Sequence, residues 1–166
     1  MTNNFVFETD LAAKTIHISC EFNAPIEKVW RAWTEPDLIE KWIAPKPWTA
    51  QTKIMDFTVG GIWLYAMVSP EGQKHWTRIE FTAIENGSSI SSTNMFSDAD
   101  GKTVAGAAKS YTETKFSAID SNKTKVDVVK TFTDAATIKR FAEMGFKEGT
   151  IMGYNQLDEL LASENN

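Results

Sequence analysis

A chain of 166 residues, 42% hydrophobic and 23% charged, has the size and make-up of one folded domain and excludes a disordered polypeptide. Its net charge of -5 comes from acidic and basic residues that are scattered rather than blocked, which excludes the basic footprint of a nucleic-acid binder; no apolar run approaches the ~20 residues of a membrane span. The single Cys20 cannot close an internal disulfide and the first residues show no basic-then-apolar leader, so the expected location is the cytoplasm.

Residues 1–14 carry no assigned element and form an extension of the single domain 1–166. Thr15 to Phe22 then alternates, with Ile16, Ile18, Cys20 and Phe22 on the face that a core would cover. Asn23-Ala-Pro25 switches the period, because proline suits a helix start and Ile26, Val29, Trp30 and Trp33 follow at helical spacing. Pro36 starts a second short helix bearing Leu38, Ile39 and Trp42, which Pro45 and Pro47 prevent from continuing. Strands are expected over residues 51–59, 62–68, 75–85, 88–96, 110–119 and 123–133, which with the first makes seven. Short polar turns separate them, so antiparallel neighbours follow, and Gly60-Gly61 is a hairpin signal.

Asp134 can cap a helix carrying Ile138 and Phe141, and Gly145 breaks it before a last helix that runs from Phe146 to about Ala162. That helix is long enough to cross the sheet, and Phe146, Thr150, Gly153, Leu157 and Leu160 form its inward stripe. Gly149 and Gly153 each cost about 1 kcal/mol there relative to alanine, so something must offset them. Two readings stand: close approach of the helix to the sheet backbone, or room left for a ligand.

Phe22-Asn-Ala-Pro25 followed by Val29-Trp30-Arg-Ala-Trp33, then Pro36 with Trp42 and Pro45, Val59-Gly-Gly61 with Trp63, and Gly145-Phe146 with Gly149 carry a resemblance over nearly the whole chain. In that order and spacing they resemble the START-like, helix-grip (SRPBCC) superfamily, and within it the proteins similar to the C-terminal region of the activator of the heat-shock 90 kDa chaperone ATPase. The resemblance implies an α+β helix-grip fold, a curved seven-stranded antiparallel sheet around the C-terminal helix, often with a hydrophobic cavity between them. It supplies no catalytic signature, and the separate domain with which the eukaryotic activator grips the chaperone has no counterpart in the residues before Thr15.

Candidate residues follow from parity. Lys130 shares a face with Val126, Val128 and Phe132 and so points toward the helix, where its charge must be paired, reach solvent along its stem, or meet a ligand. Asn94 alternates with Ile90, Ser92 and Phe96, while Thr112 and Thr114 share a face with Phe116; a cavity lined by rings and a few polar groups has this pattern, as does a dry core with a wet margin. Phe57, Trp63 and Tyr65 add aromatic wall, and Gly149, Gly153 and Leu157 add the helix side, which completes the expected ligand-binding set. The strand Ile62 to Val68 is apolar on both parities and must be covered by the helices, a partner chain or a ligand, which leaves a homodimer open. His17 and His75 sit on polar parity and beside a turn, Arg78 and Glu80 read as solvent-facing charges, and Cys20 reads as a small buried apolar group. No metal, cofactor or catalytic motif is expected. The expected function is binding of a small apolar or amphipathic molecule; the alternatives are a co-chaperone-like module and a cyclase- or hydrolase-type enzyme using the same cavity.

Overall fold

The computed structural model describes residues 3–104, 107 and 109–163. Its strands are β1 (Asn3–Asp10), β2 (Thr15–Phe22), β3 (Thr49–Met55), β4 (Ile62–Val68), β5 (Lys74–Glu85), β6 (Ser89–Ser97), β7 (Lys109–Asp120) and β8 (Lys123–Phe132). The helices are α1 (Ile26–Thr34), α2 (Pro36–Ile39), α3 (Ala135–Glu143) and α4 (Phe146–Ser163). All strands join one eight-stranded antiparallel sheet in the order β1-β2-β8-β7-β6-β5-β4-β3.

The eighth strand corrects the expected seven. Residues 3–10 pair with β2 in a hairpin, Phe7 opposite Ile18 and Thr9 opposite Ile16. Phe5 and Phe7 face the same side as the β2 core residues, and they meet α4 through Tyr154 at 6.1 Å and Phe146 at 5.9 Å between ring centroids. The alternation Phe5, Phe7, Thr9 against Val6, Glu8, Asp10 is the strand signal in that stretch.

Elsewhere the boundaries move little. β3 ends at Met55 rather than near residue 59, because Asp56 to Gly61 form the β3–β4 loop. The Asp56 N–H donates to the Ile62 carbonyl at 2.9 Å and that of Gly61 to Thr58 at 2.9 Å. Gly60 lies at φ +90°, and a Cβ on Gly61 would run into the Asp56 carbonyl, so this turn requires the glycine pair. The same loop bonds across to β5, where Gly60 donates to the Phe81 carbonyl and Phe81 to that of Gly61, beside a bulge between Phe81 and Ala83.

The core fills one side of the sheet. Phe22, Cys20, Ile18 and Ile16 on β2 pack beside Val126 and Val128 on β8 and Phe116 on β7. α1 lays Trp30 and Trp33 on Phe116, at 5.1 and 5.4 Å, and Trp30 also meets Phe57 at 5.9 Å. Trp42, just past α2, donates its indole N–H to the Ala32 carbonyl at 2.9 Å, which ties the two short helices together. Asp134 caps α3 by accepting from the Thr137 N–H at 2.8 Å, and Gly145, at φ +82°, turns the chain into α4. α4 buries Gly153, Tyr154, Leu157 and Leu161; Leu157 and Leu161 together contribute roughly 3 to 6 kcal/mol as an upper bound.

Candidate functional site

The cross-strand register decides which side chains meet on the face that carries the core. Lys130 lies opposite Ile16 and Thr112, Thr112 opposite Ser92, Ser92 opposite Phe81, and the next row runs Phe132, Ser110, Asn94, Ile79, Trp63. A polar band thus crosses three central strands between apolar neighbours. Its atoms are joined: Lys130 Nζ donates to Thr112 Oγ1 at 2.9 Å, Asn94 Nδ2 donates to the same oxygen at 2.8 Å, and Ser92 Oγ donates to Asn94 Oδ1 at 2.8 Å.

Lys130 is the charged member of that chain. Among the described residues, Thr112 Oγ1 is its hydrogen-bond partner and its ammonium stands in no ion pair. Burial therefore acts on it unopposed and pushes its pKa down from 10.5 to about 8. Asn94, Thr112, Lys130 and Ile79 keep partial solvent access, and Phe96 beside them is 42% exposed. Phe141 of α3 packs on Phe132 at 5.1 Å and on Phe96 at 6.4 Å, which sets an aromatic rim at one end of the band. At the other, Trp63 and Tyr65 stack at 4.0 Å and 17°, with the Trp63 indole N–H on Thr52 Oγ1 at 3.0 Å. Burial raises the Tyr65 pKa, partly countered by its hydrogen bond with Thr77.

The ten expected ligand-binding residues separate into groups. Asn94 and Lys130 come together in the polar chain; Thr112 and Ser92, which complete it, are its other members, detectable only once the register shows which parity positions face each other. Trp63 and Tyr65 form the far wall. Phe57, Thr114, Phe116 and Leu157 lie within close packing, where Phe57 meets Phe81 at 5.0 Å and Leu157 is fully buried. Gly149 and Gly153 face elsewhere: a Cβ on Gly153 would sit 3.0 Å from the Trp42 carbonyl oxygen and one on Gly149 3.6 Å from Pro45 Cγ. The missing side chain of Gly153 lets α4 approach the turn after α2, not the sheet, and Gly149 faces the same turn at an ordinary contact distance. Gln156 seals that seam by donating to the carbonyls of Trp42 and Ala44, at 3.1 and 2.9 Å, and accepting from the Lys46 N–H at 3.0 Å.

The rest of the expected chemistry is structural. His17 is half exposed with Nε2 3.2 Å from Asp127 Oδ1, His75 meets Trp48 at 5.5 Å between ring centroids with the rings tilted by 49°, and Cys20 is fully buried. Arg78 is less solvent-facing than its parity implies, because residues 98–102 fold over it: its Nη1 donates to the Gly101 carbonyl at 2.9 Å and its Nη2 reaches Glu80 at 3.2 Å. That cover also lies against Leu64, so both faces of β4 are buried by the chain itself. Two open grooves, about 680 and 350 Å³, lie on the opposite side of the sheet, one along the β1–β2 hairpin and the other across β6, β7 and β8. Among the described residues no cluster of three metal-ligating side chains occurs, and no helix is long and apolar enough to cross a membrane.

Residues 23–162 match the family model described as Activator of Hsp90 ATPase homolog 1-like protein. The chain belongs to that family. No curated protein matches it. Among solved structures, a protein from Mycobacterium smegmatis is 29% identical and overlays at a TM-score of 0.87, covering 99% of each chain. One from Arthrobacter aurescens is 30% identical at a TM-score of 0.87, covering 95% of this chain and 91% of its own, and one from Staphylococcus epidermidis is 24% identical at 0.84, covering 96% and 94%. In this homolog 1-like chain the polar band lies wholly inside the matched stretch, whereas β1 and β2, which supply Phe5, Phe7 and Ile16, precede it.

Proposed function

We propose that this family member binds a small apolar or amphipathic molecule on the core-side face of its sheet, at the Ser92–Asn94–Thr112–Lys130 band. The observation that carries the reading is Lys130: a lysine opposite Ile16 and sharing its face with Val128 and Phe132, whose ammonium has a threonine hydroxyl for partner. A desolvated charge with unfilled donors is costly to a fold and useful to a ligand. Partial access to Ile79, opposite Asn94, and to Phe96, next on that face of β6, supplies apolar contact for the rest of such a molecule.

Uptake of a neutral naphthylamine dye, followed by fluorescence, tests the reading. The wild type is expected to take it up, Ile79→Trp to abolish uptake while keeping the circular dichroism of the fold, and an excess of extractable native ligand to displace it. Uptake unchanged in Ile79→Trp sinks the assignment. Gly153→Trp is unsuited to this purpose, since a side chain there strikes the Trp42 carbonyl before reaching the sheet.

A co-chaperone-like module remains the second reading because the family description names an ATPase activator. Stimulation of a heat-shock 90 kDa chaperone ATPase by saturating protein, unaffected by Ile79→Trp, is its signature. An enzyme of the cyclase or hydrolase sort would have to use Tyr65, Lys130 or the rim residue His75, the titratable side chains on this parity of β4 to β8. We place the protein's work in the cytoplasm.

A further inference from the structure

The direction of each hydrogen bond in the polar band limits what can bind there. A threonine hydroxyl oxygen accepts twice and donates once. Thr112 Oγ1 accepts from Lys130 Nζ and from Asn94 Nδ2, so both of its acceptor sites are filled and its own O–H is left to donate. Lys130 keeps two further N–H donors and Asn94 one. The Lys130–Thr112 end of the band therefore offers donors alone. A hydroxyl or amine head group would find little there to accept its protons, whereas a group that only accepts would satisfy every donor.

Charge narrows the choice further. Lys130 brings one positive charge in a partly desolvated place without a carboxylate in range, so a single negative charge is neutralised and a doubly charged head group would leave one charge buried and unpaired. Geometry gives the orientation. Ile79 lies opposite Asn94, Phe96 follows on the same face of β6, and Phe141 packs on Phe96 at 6.4 Å; the band runs from β8 toward these partly exposed apolar groups.

We infer that the site takes a monocarboxylate with an apolar body, its carboxylate held by Lys130 Nζ, Thr112 Oγ1 and Asn94 Nδ2 and its body lying against Ile79, Phe96 and Phe141. This deepens the binding role proposed above and rests on it. The carboxylate oxygens accept the unspent donors as charge-assisted hydrogen bonds, which are short and about twice as strong as neutral ones. Thr112 and Asn94 position the head, and Lys130 supplies the charge.

The test uses the full chain at pH 7 and displacement of the neutral naphthylamine dye by dodecanoate, dodecanol and dodecylamine, three probes with one tail and different heads. Dodecanoate is expected to displace the dye at least about tenfold more tightly than dodecanol, with dodecylamine weakest. Lys130→Met should bring dodecanoate down to the level of dodecanol, and Thr112→Val should remove part of the preference for dodecanoate. Equal displacement by dodecanoate and dodecanol in the wild type, or a preference that survives Lys130→Met, overturns the head-group assignment and leaves binding itself standing. Failure of the wild type to take up dye or any probe overturns the binding role and the head-group assignment together.

Discussion

Replacing Lys130 by methionine should make the unliganded protein more stable while it weakens binding. The side chain has a pKa of about 8 in the fold against 10.5 when free. At about 1.36 kcal/mol per unit, that shift is a cost to the folded state of roughly 3 kcal/mol in neutral solution, where lysine is charged both folded and unfolded. As pH rises through 8 the folded chain releases its proton before the unfolded chain does, so stability climbs between about pH 8 and 10.5, and above that range the cost is gone. Methionine fills a similar volume with no charge, and losing the bond to Thr112 Oγ1 returns about 1 kcal/mol of the gain. The net expectation is a stabilisation of about 2 kcal/mol at pH 7, or a melting temperature higher by roughly 4 to 8 °C for a chain of this size. Thermal unfolding followed by circular dichroism at pH 7 and pH 10.5 measures it. A variant less stable than wild type at pH 7, or equally stabilised at both pH values, would refute the claim that the ammonium is held at a desolvation cost.

Asp158 on α4 offers a smaller case of opposite sign: partial burial pushes its carboxyl up to about 6, and among the described residues its Oδ2 is buried without a hydrogen-bond partner. As pH rises from 3.8 to about 6 the unfolded chain loses this proton first, so stability falls over that window, and Asp158→Asn should stabilise by about 1 kcal/mol at pH 7 after allowance for solvent screening, with little gain at pH 3.5, where both states are largely protonated; urea midpoints at the two pH values check it. The two helix glycines should respond oppositely to alanine. At Gly149 the new methyl makes an ordinary contact with Pro45, so helix propensity stabilises by about 0.5 to 1 kcal/mol; at Gly153 it meets the Trp42 carbonyl at 3.0 Å, which cancels that gain or reverses it by about 1 kcal/mol. Equal effects of Gly149→Ala and Gly153→Ala in urea unfolding would contradict the seam described for them.

How far the residues alone reach can be seen at three places. The alternation of Thr15 to Phe22 and the proline-led helices carried the central architecture, because period and proline geometry are local properties and survive without knowledge of partners. β1 is hard to read for a different reason: Phe5, Phe7 and Thr9 make only a short alternating run near the start of the chain, and its place is set by pairing with β2, a tertiary fact. The glycines of α4 show the limit most plainly. Their cost and spacing are legible, but which neighbour comes close is a tertiary fact: the Trp42–Pro45 turn faces both, tightly at Gly153 and at ordinary contact distance at Gly149. Lys130 was legible as an uncomfortable charge on a core parity; that its partner is Thr112, shared with Asn94, depends on a register of β6, β7 and β8 that no single strand encodes.

The position of that lysine within the sheet argues for use rather than accident. A surface lysine that strays inward usually bends its stem toward water or finds a carboxylate, as Lys125 on the solvent parity of β8 does with Asp127 at 3.8 Å. Lys130 stands in no ion pair among the described residues: its ammonium stays beside Thr112 Oγ1, at an oxygen whose second acceptor site Asn94 has taken. An apolar residue at 130 would join Ile16, Val128 and Phe132 in a continuous core and leave the remaining Ser92–Asn94–Thr112 bonds intact. The arrangement thus keeps a destabilising cation where a stabilising methyl group would fit, next to a hydroxyl and an amide that each keep a donor unspent. Sites that trade stability for binding have this form, and the methionine variant separates the two quantities directly, because the same substitution must raise the melting temperature and remove the preference for a carboxylate.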